Sequence, residues 1–229
     1  MILIPGYWLG GWAWDDVVKH LDVTATPVTL PGLDSPATRR GDIRLADHVG
    51  TIVDLVNAAA STVVLVVHSG AGALASAITD QLPGKVRRVV FVESGPVADG
   101  TIARPDLEAD AVELPLPPWD ELEAGGASLA DLTDDMLQRF KQRANPHPAG
   151  PLREPVRLHN PARNAVPTTI VCCSCPSAVI RQMAADGNPM FAPLSSLADV
   201  SYVDLPTGHW PMWSKPEALA KVLAEAARD

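Results

Sequence analysis

The chain has 229 residues, 47% of them hydrophobic, which is enough for one well-buried core and short for two. Its 18 basic and 27 acidic residues give a net charge of −9, which works against non-specific attraction to nucleic acid or an anionic membrane and leaves small-molecule substrates open. No apolar run approaches the roughly 18 residues of a membrane span, and the opening "MILIPGYW" has neither a charged leader nor a signal-type apolar stretch, so the expectation is a cytoplasmic protein.

Six short β-branched runs follow one another: "MILI", "VTATPVTL", "TVVLVV", "VRRVVFV", "TTIVCC" and "VSYVDL". Helical patterns separate them, and that alternation predicts an α/β fold, a mostly parallel sheet of about six strands with helices on both faces. The first run leads into "PGYWLGGWAW", with a turn at Gly6. Between the second and third runs, Leu45, Val49, Ile52, Val53 and Val56 share one helical face behind Asp42 as a candidate cap. The third run passes through His68 and Ser69 into the small residues of "GAGALASAI", and the fourth ends in Glu93.

From Val97 to Val166 the rhythm breaks. The interval is rich in Pro and acidic residues around a helical pattern in "LADLTDDMLQRFKQRA", far longer than an ordinary connection. It reads as a cap inserted over the sheet edge where ligands bind in such folds, so residues 97–166 form the cap and residues 1–96 and 167–229 the core. Cys172, Cys173 and Cys175 lie in or beside the fifth run, where strand neighbours point to opposite faces and cannot easily pair, so they read as free thiols. Cys173-Ser174-Cys175 lacks a second ligand pair, and no metal or cofactor is called for. After the last run, "LPTGHWPMWSKPEAL" carries His209 on a loop before a closing helix that admits Pro216 in its first turn.

Two chemistries fit "VVLVVHSGAGALASAI". Gly70, Gly72 and Ala75 satisfy a dinucleotide fingerprint, and Glu93 at the end of the next run stands where an acid would hold a ribose hydroxyl. That fingerprint usually belongs to the first strand–helix–strand unit, however, and here two strand-like runs precede it. Alternatively Ser69 is a nucleophile on a strand–turn–helix elbow. A serine hydroxyl needs an imidazole to take its proton, and His209 is placed for that after the last strand. The oxyanion of the tetrahedral intermediate needs backbone donors, for which the N–H groups of Gly70 and Tyr7 are the candidates.

The opening "IPGYWLGGWAW", the "VHSGAG" elbow and the closing "GHWPMWSKPEAL" together resemble the α/β-hydrolase superfamily, in particular the small branch with plant methylesterases and hydroxynitrile lyases. The resemblance implies Ser69 as nucleophile, His209 as base, Tyr7 and Gly70 as oxyanion hole, and a sheet that lacks the superfamily's first two strands. The first loop carries Pro5 in place of the usual His, and the outer elbow positions are Val67 and Ala71. The loop after "TTIVCC", where the family's acid commonly sits, holds no Asp or Glu. Glu93 is the first candidate for that role, with Asp204 and Asp186 as alternatives and an acid-free dyad as the last possibility. An apolar pocket is expected from Tyr7, Trp8 and Trp210 with Trp119, Phe140 and His147 of the cap. The sequence thus points to a serine hydrolase acting on a small, largely apolar ester, thioester or lactone. A non-catalytic ligand-binding protein, a hydroxynitrile lyase and a dinucleotide oxidoreductase are the competing readings, and oligomeric state is left open.

Overall fold

The structure is a computed structural model and describes residues 1–228. Among these the strands are β1 (Ile2–Ile4), β2 (Thr26–Pro27), β3 (Val63–His68), β4 (Val86–Val92), β5 (Glu113–Leu114), β6 (His147–Pro148), β7 (Thr168–Cys172) and β8 (Val200–Asp204). The helices are α1 (Asp15–Val18), α2 (Leu45–Ala58), α3 (Gly72–Gln81), α4 (Trp119–Ala124), α5 (Asp134–Arg143), α6 (Ala149–Arg153), α7 (Ser177–Ala185), α8 (Pro211–Ser214) and α9 (Pro216–Arg228). Six strands form one parallel sheet in the order β2-β1-β3-β4-β7-β8, as the alternating pattern predicts. The other two, β5 and β6, make a short antiparallel pair within residues 97–166.

The second predicted run shrinks to two residues. Thr26 and Pro27 pair with β1 at the sheet edge, the N–H groups of Thr26 and Val28 donate to the carbonyls of Met1 and Leu3, both at 2.9 Å, and the nitrogen of Pro27 between them faces the open side, where a proline is tolerated. Helix α2 begins at Leu45, so Asp42 falls too early to cap it. Asp47 instead accepts the Arg44 N–H at 2.7 Å, and Glu154, from the inserted segment, accepts the Leu45 N–H at 2.9 Å.

Side chains alternate across the central strands and seed one core on each face. Val63, Leu65 and Val67 of β3 and Phe91 of β4 pack with Ile52, Val56, Leu74 and Ile78 of α2 and α3. Val64, Val66, Val90 and Val92 pack on the other face with Leu219 and Leu223 of α9 and with Trp14 and Trp213. Leu122 and Phe140 of the inserted segment belong to this second core. Phe140 is fully buried, its ring centroid 5.0, 5.2 and 5.4 Å from those of Trp213, Trp210 and Trp119, so it is a core side chain and not the pocket wall expected from sequence. Truncating a buried phenylalanine loses its transfer energy and leaves a cavity. Phe140→Ala is therefore expected to lower unfolding free energy by about 3–5 kcal/mol in urea denaturation.

No helix among the described residues is long and apolar enough to cross a membrane.

Candidate active site

The chain runs from β1 outward to β2 and then returns to β3 on the other side of β1, so the strand order reverses between β1 and β3. A crevice opens at such a reversal, beyond the carboxyl ends of the strands. The predicted polar groups gather there because each lies just past a strand: Tyr7 after β1, Ser69 after β3, Glu93 after β4 and His209 after β8.

Ser69 follows β3 without a spacer and takes φ of 53°, and Glu93 follows β4 in the same way with φ of 48°. Left-handed backbone at such residues costs on the order of 1–3 kcal/mol and persists only where surrounding structure enforces it. Val67 stands where hydrolase elbows often have glycine, but its side chain is buried in the first core and leaves the turn free. Gly70 and Gly72 are the positions that tolerate no side chain, because a Cβ would lie 2.2 Å from the Tyr7 ring at the first and 2.3 Å from the Gly95 carbonyl oxygen at the second. The N–H groups of Tyr7 and Gly70 have no acceptor among the described residues.

His209 Nε2 lies 2.8 Å from Ser69 Oγ, and its Nδ1 lies 3.4 Å from Glu93 Oε2. The second contact is long for a hydrogen bond but leaves the carboxylate facing the imidazole edge away from the serine. Asp204, the alternative acid, is engaged elsewhere: it accepts the N–H and hydroxyl of Ser177, both at 2.7 Å, at the start of α7. Asp186 accepts from Gln182 at 2.8 Å. The loop after β7 that carries no acid contributes donors instead. Glu93 Oε1 accepts the N–H of Cys173 at 2.6 Å and of Ser174 at 3.0 Å, and the Ser174 hydroxyl donates to Oε2. Burial by itself would raise the Glu93 carboxyl, yet its hydrogen bonds to His209, Ser174 and Cys173 hold it below the ordinary carboxylate value.

The loop carrying His209 is fixed from two sides. Its N–H donates to the Ser128 carbonyl at 2.7 Å, and a Cβ on the preceding Gly208 would meet the Ala130 carbonyl at 2.4 Å, so residues 128–130 of the inserted segment clasp it closely. From beneath, His68 Nε2 donates to the His209 carbonyl at 2.8 Å, which makes Nδ1 the unprotonated nitrogen of a neutral His68. Burial, reinforced by the neighbouring His209, pushes His68 down to about 3. Sequence reasoning gave His68 and Ser174 no role. The place of His68 directly before the elbow serine is a usable signal, whereas nothing in the sequence marks Ser174.

A cleft of about 550 Å³ opens over Ser69 and His209, lined by Tyr7, Trp8, Trp210, Leu114, Leu122 and, unforeseen from sequence, Arg104. Trp119 lines a separate surface hollow with Pro117 and Lys141, so its expected place in the pocket is corrected along with that of Phe140. His147 lies outside the cleft too. It borders a chamber of about 30 Å³ with Tyr7, His48 and Leu74, its ring 4.9 Å from that of Tyr7.

Burial lowers His147 well below the ordinary imidazole value, with His48 and Arg40 adding to the effect, and burial also lowers His48. Below about pH 6.5 the unfolded chain therefore binds protons that the native state refuses at His48, His68 and His147. Their contribution to stability is complete above that pH and is lost as pH falls toward each depressed native value. Urea midpoints are expected to fall from pH 7 to pH 5, each fully shifted histidine adding up to about 1.4 kcal/mol per pH unit. A His147→Phe variant should show a shallower slope.

The model of the alpha/beta hydrolase family matches residues 1–222. Methylesterase 4 of Arabidopsis thaliana is 32% identical over 100 residues, a match that spans 40% of this chain and 37% of that protein's length. Among solved structures, an extracellular alpha/beta-hydrolase from a Paenibacillus species, described as sharing structural and functional homology with tobacco salicylic acid binding protein 2, superimposes with a TM-score of 0.75 at 19% identity, covering 100% of this chain and 98% of that one. The Arabidopsis methylesterase MES16 gives 0.76 at 15% identity, covering 99% and 98%. At these identities the two structures establish a shared fold.

Proposed function

The chain belongs to the α/β-hydrolase family, and from that premise we propose that it is a serine hydrolase cleaving a small, largely apolar ester, thioester or lactone through an acyl-enzyme on Ser69. The observation that carries the reading is the 2.8 Å contact of His209 Nε2 with Ser69 Oγ, with the other imidazole nitrogen turned to the Glu93 carboxylate. Ser69 Oγ attacks the substrate carbonyl carbon while its proton passes to His209 Nε2. The tetrahedral oxyanion accepts from the N–H groups of Tyr7 and Gly70, an interaction for which one donor is typically worth about 2.7–4 kcal/mol. Collapse breaks the bond to the leaving alcohol or thiol, which takes the proton from His209. Water then attacks the acyl-enzyme with His209 as base and releases the acid. Glu93 accepts from His209 Nδ1–H, which fixes the productive tautomer and stabilises the imidazolium as it forms.

Residues 97–166 act as the cap in this reading. Leu114, Pro117, Glu121, Leu122 and Gly125–Ala127 supply one side of the cleft, which suits an apolar substrate, and Trp8 and Trp210 supply aromatic walls. The methylesterase names among the relatives support an ester as the first class to test. Release of p-nitrophenol from short acyl esters, with thioesters and lactones assayed in parallel, is the direct test. Turnover in any of the three classes is expected, and its absence in all of them overturns the proposal.

A further inference from the structure

Arg104 lines the cleft and is left unused by the chemistry just described. Its main chain is pinned on both sides: its N–H donates to the Leu152 carbonyl at 2.9 Å, and its carbonyl accepts the Leu107 N–H at 3.3 Å. Asp106 holds one edge of the guanidinium, accepting from Nε at 2.8 Å and from Nη2 at 2.6 Å. The Nη1 end makes no hydrogen bond among the described residues, in a cleft that also contains Ser69 and His209. No other Lys or Arg among the described residues lines that cleft. A planar fork already fixed along one edge has little freedom left to lose when its other end meets a ligand.

Charge decides what that ligand is. Asp106, which is not among the residues lining the cleft, already compensates the guanidinium, and Glu121 of α4 places a carboxylate in the cleft itself. An anionic substrate group would meet a cation already neutralised by Asp106 and the Glu121 carboxylate in the same cleft, and lose its own hydration as well. A neutral oxygen accepts the same charge-assisted hydrogen bond without that cost.

We propose that Arg104 is a specificity-determining residue whose Nη1 donates to a neutral acceptor oxygen, such as a keto, ether or second ester oxygen, carried by the substrate beyond the scissile carbonyl. The inference rests on the serine-hydrolase reading for its reaction, and on the cleft alone for its ligand.

Three methyl esters of similar length separate the possibilities: levulinate carries a second neutral carbonyl, valerate carries none, and monomethyl succinate carries a carboxylate. The wild-type kcat/KM is expected to favour levulinate over valerate by on the order of 10- to 100-fold, with succinate lowest. In Arg104→Met the levulinate-to-valerate ratio should fall toward one, while Arg104→Lys, which keeps a donor, should retain part of it. A merely structural role would lower both esters together and leave the ratio unchanged, which overturns the proposal. A wild-type preference for the succinate ester that disappears in Arg104→Met overturns it too, by making Arg104 a counter-ion. Dissociation constants of the same esters for Ser69→Ala and for Ser69→Ala with Arg104→Met read the ratio without turnover. If wild type hydrolyses none of the esters but the binding ratio behaves as expected, the hydrolase reading fails and the role of Arg104 stands; if the binding ratio is flat, the role fails.

Discussion

Ser69→Ala is expected to reduce ester turnover by on the order of 10⁵- to 10⁶-fold, because the covalent route disappears and only binding and the backbone donors remain. The fold should survive. The exchange removes one hydroxyl at a cleft residue whose backbone is set by β3 and by the close approach of the Tyr7 loop to Gly70. Steady-state kinetics on a short acyl ester, paired with a thermal melt by circular dichroism, checks both halves. A loss of activity accompanied by an unchanged melt is the expected pattern, and near-wild-type turnover would remove Ser69 from the chemistry.

Glu93→Gln should lower kcat by on the order of 10²- to 10⁴-fold with a modest change in melting temperature. The remaining amide oxygen can still accept the N–H groups of Cys173 and Ser174 that Oε1 accepts at 2.6 and 3.0 Å. The amide nitrogen would then replace Oε2 and point N–H groups at His209 Nδ1. That arrangement favours the tautomer with the proton on Nε2, where it can no longer take the proton of Ser69. Asp204→Asn is the matching control, since Asp204 serves Ser177 at the start of α7, and kcat should change little. Should Glu93→Gln match wild type, Ser69 and His209 work as a dyad. The pH dependence has a definite sign: a carboxyl held below its ordinary value keeps its charge on acidification until pH falls through that lowered value.

Much of the fold is legible because burial writes itself into sequence. The runs at β3, β4 and β7 are mostly apolar and buried on both faces, Arg87 at the start of β4 being the exposed exception, and the helices between them carry an apolar stripe. Edges are harder to read. Thr26–Pro27 at one edge is all that pairs out of an eight-residue β-branched run, because an edge strand has a neighbour on one side alone. The start of α2 is hidden for a related reason: the Glu154 carboxylate that accepts the Leu45 N–H comes from 109 residues away.

The site divides along the same line. Ser69 and His209 announce themselves by residue type at a strand end, and Glu93 by ending the strand beside the elbow strand. The supports of Glu93 do not, since two of them are backbone N–H groups and the third is one serine among many. Phe140 and Trp119 show the complementary error. An aromatic in an inserted segment faces a pocket or a core depending on tertiary packing, and Phe140 turned to Trp210 and Trp213. Arg104 is not legible in the sequence, because a guanidinium becomes informative only once Asp106 fixes one edge and Ser69 shares its cleft.

The most direct measurement is the intact mass of the protein after exposure to a fluorophosphonate, with the modified residue located by peptide sequencing and Ser69→Ala as the control. An activated serine displaces fluoride and forms a stable phosphonyl ester, whereas an ordinary serine hydroxyl does not react at a comparable rate. One adduct per chain, on Ser69 and absent from Ser69→Ala, is the expected result. An unmodified chain, or an adduct on a residue other than Ser69, would contradict an acyl-enzyme mechanism at this site.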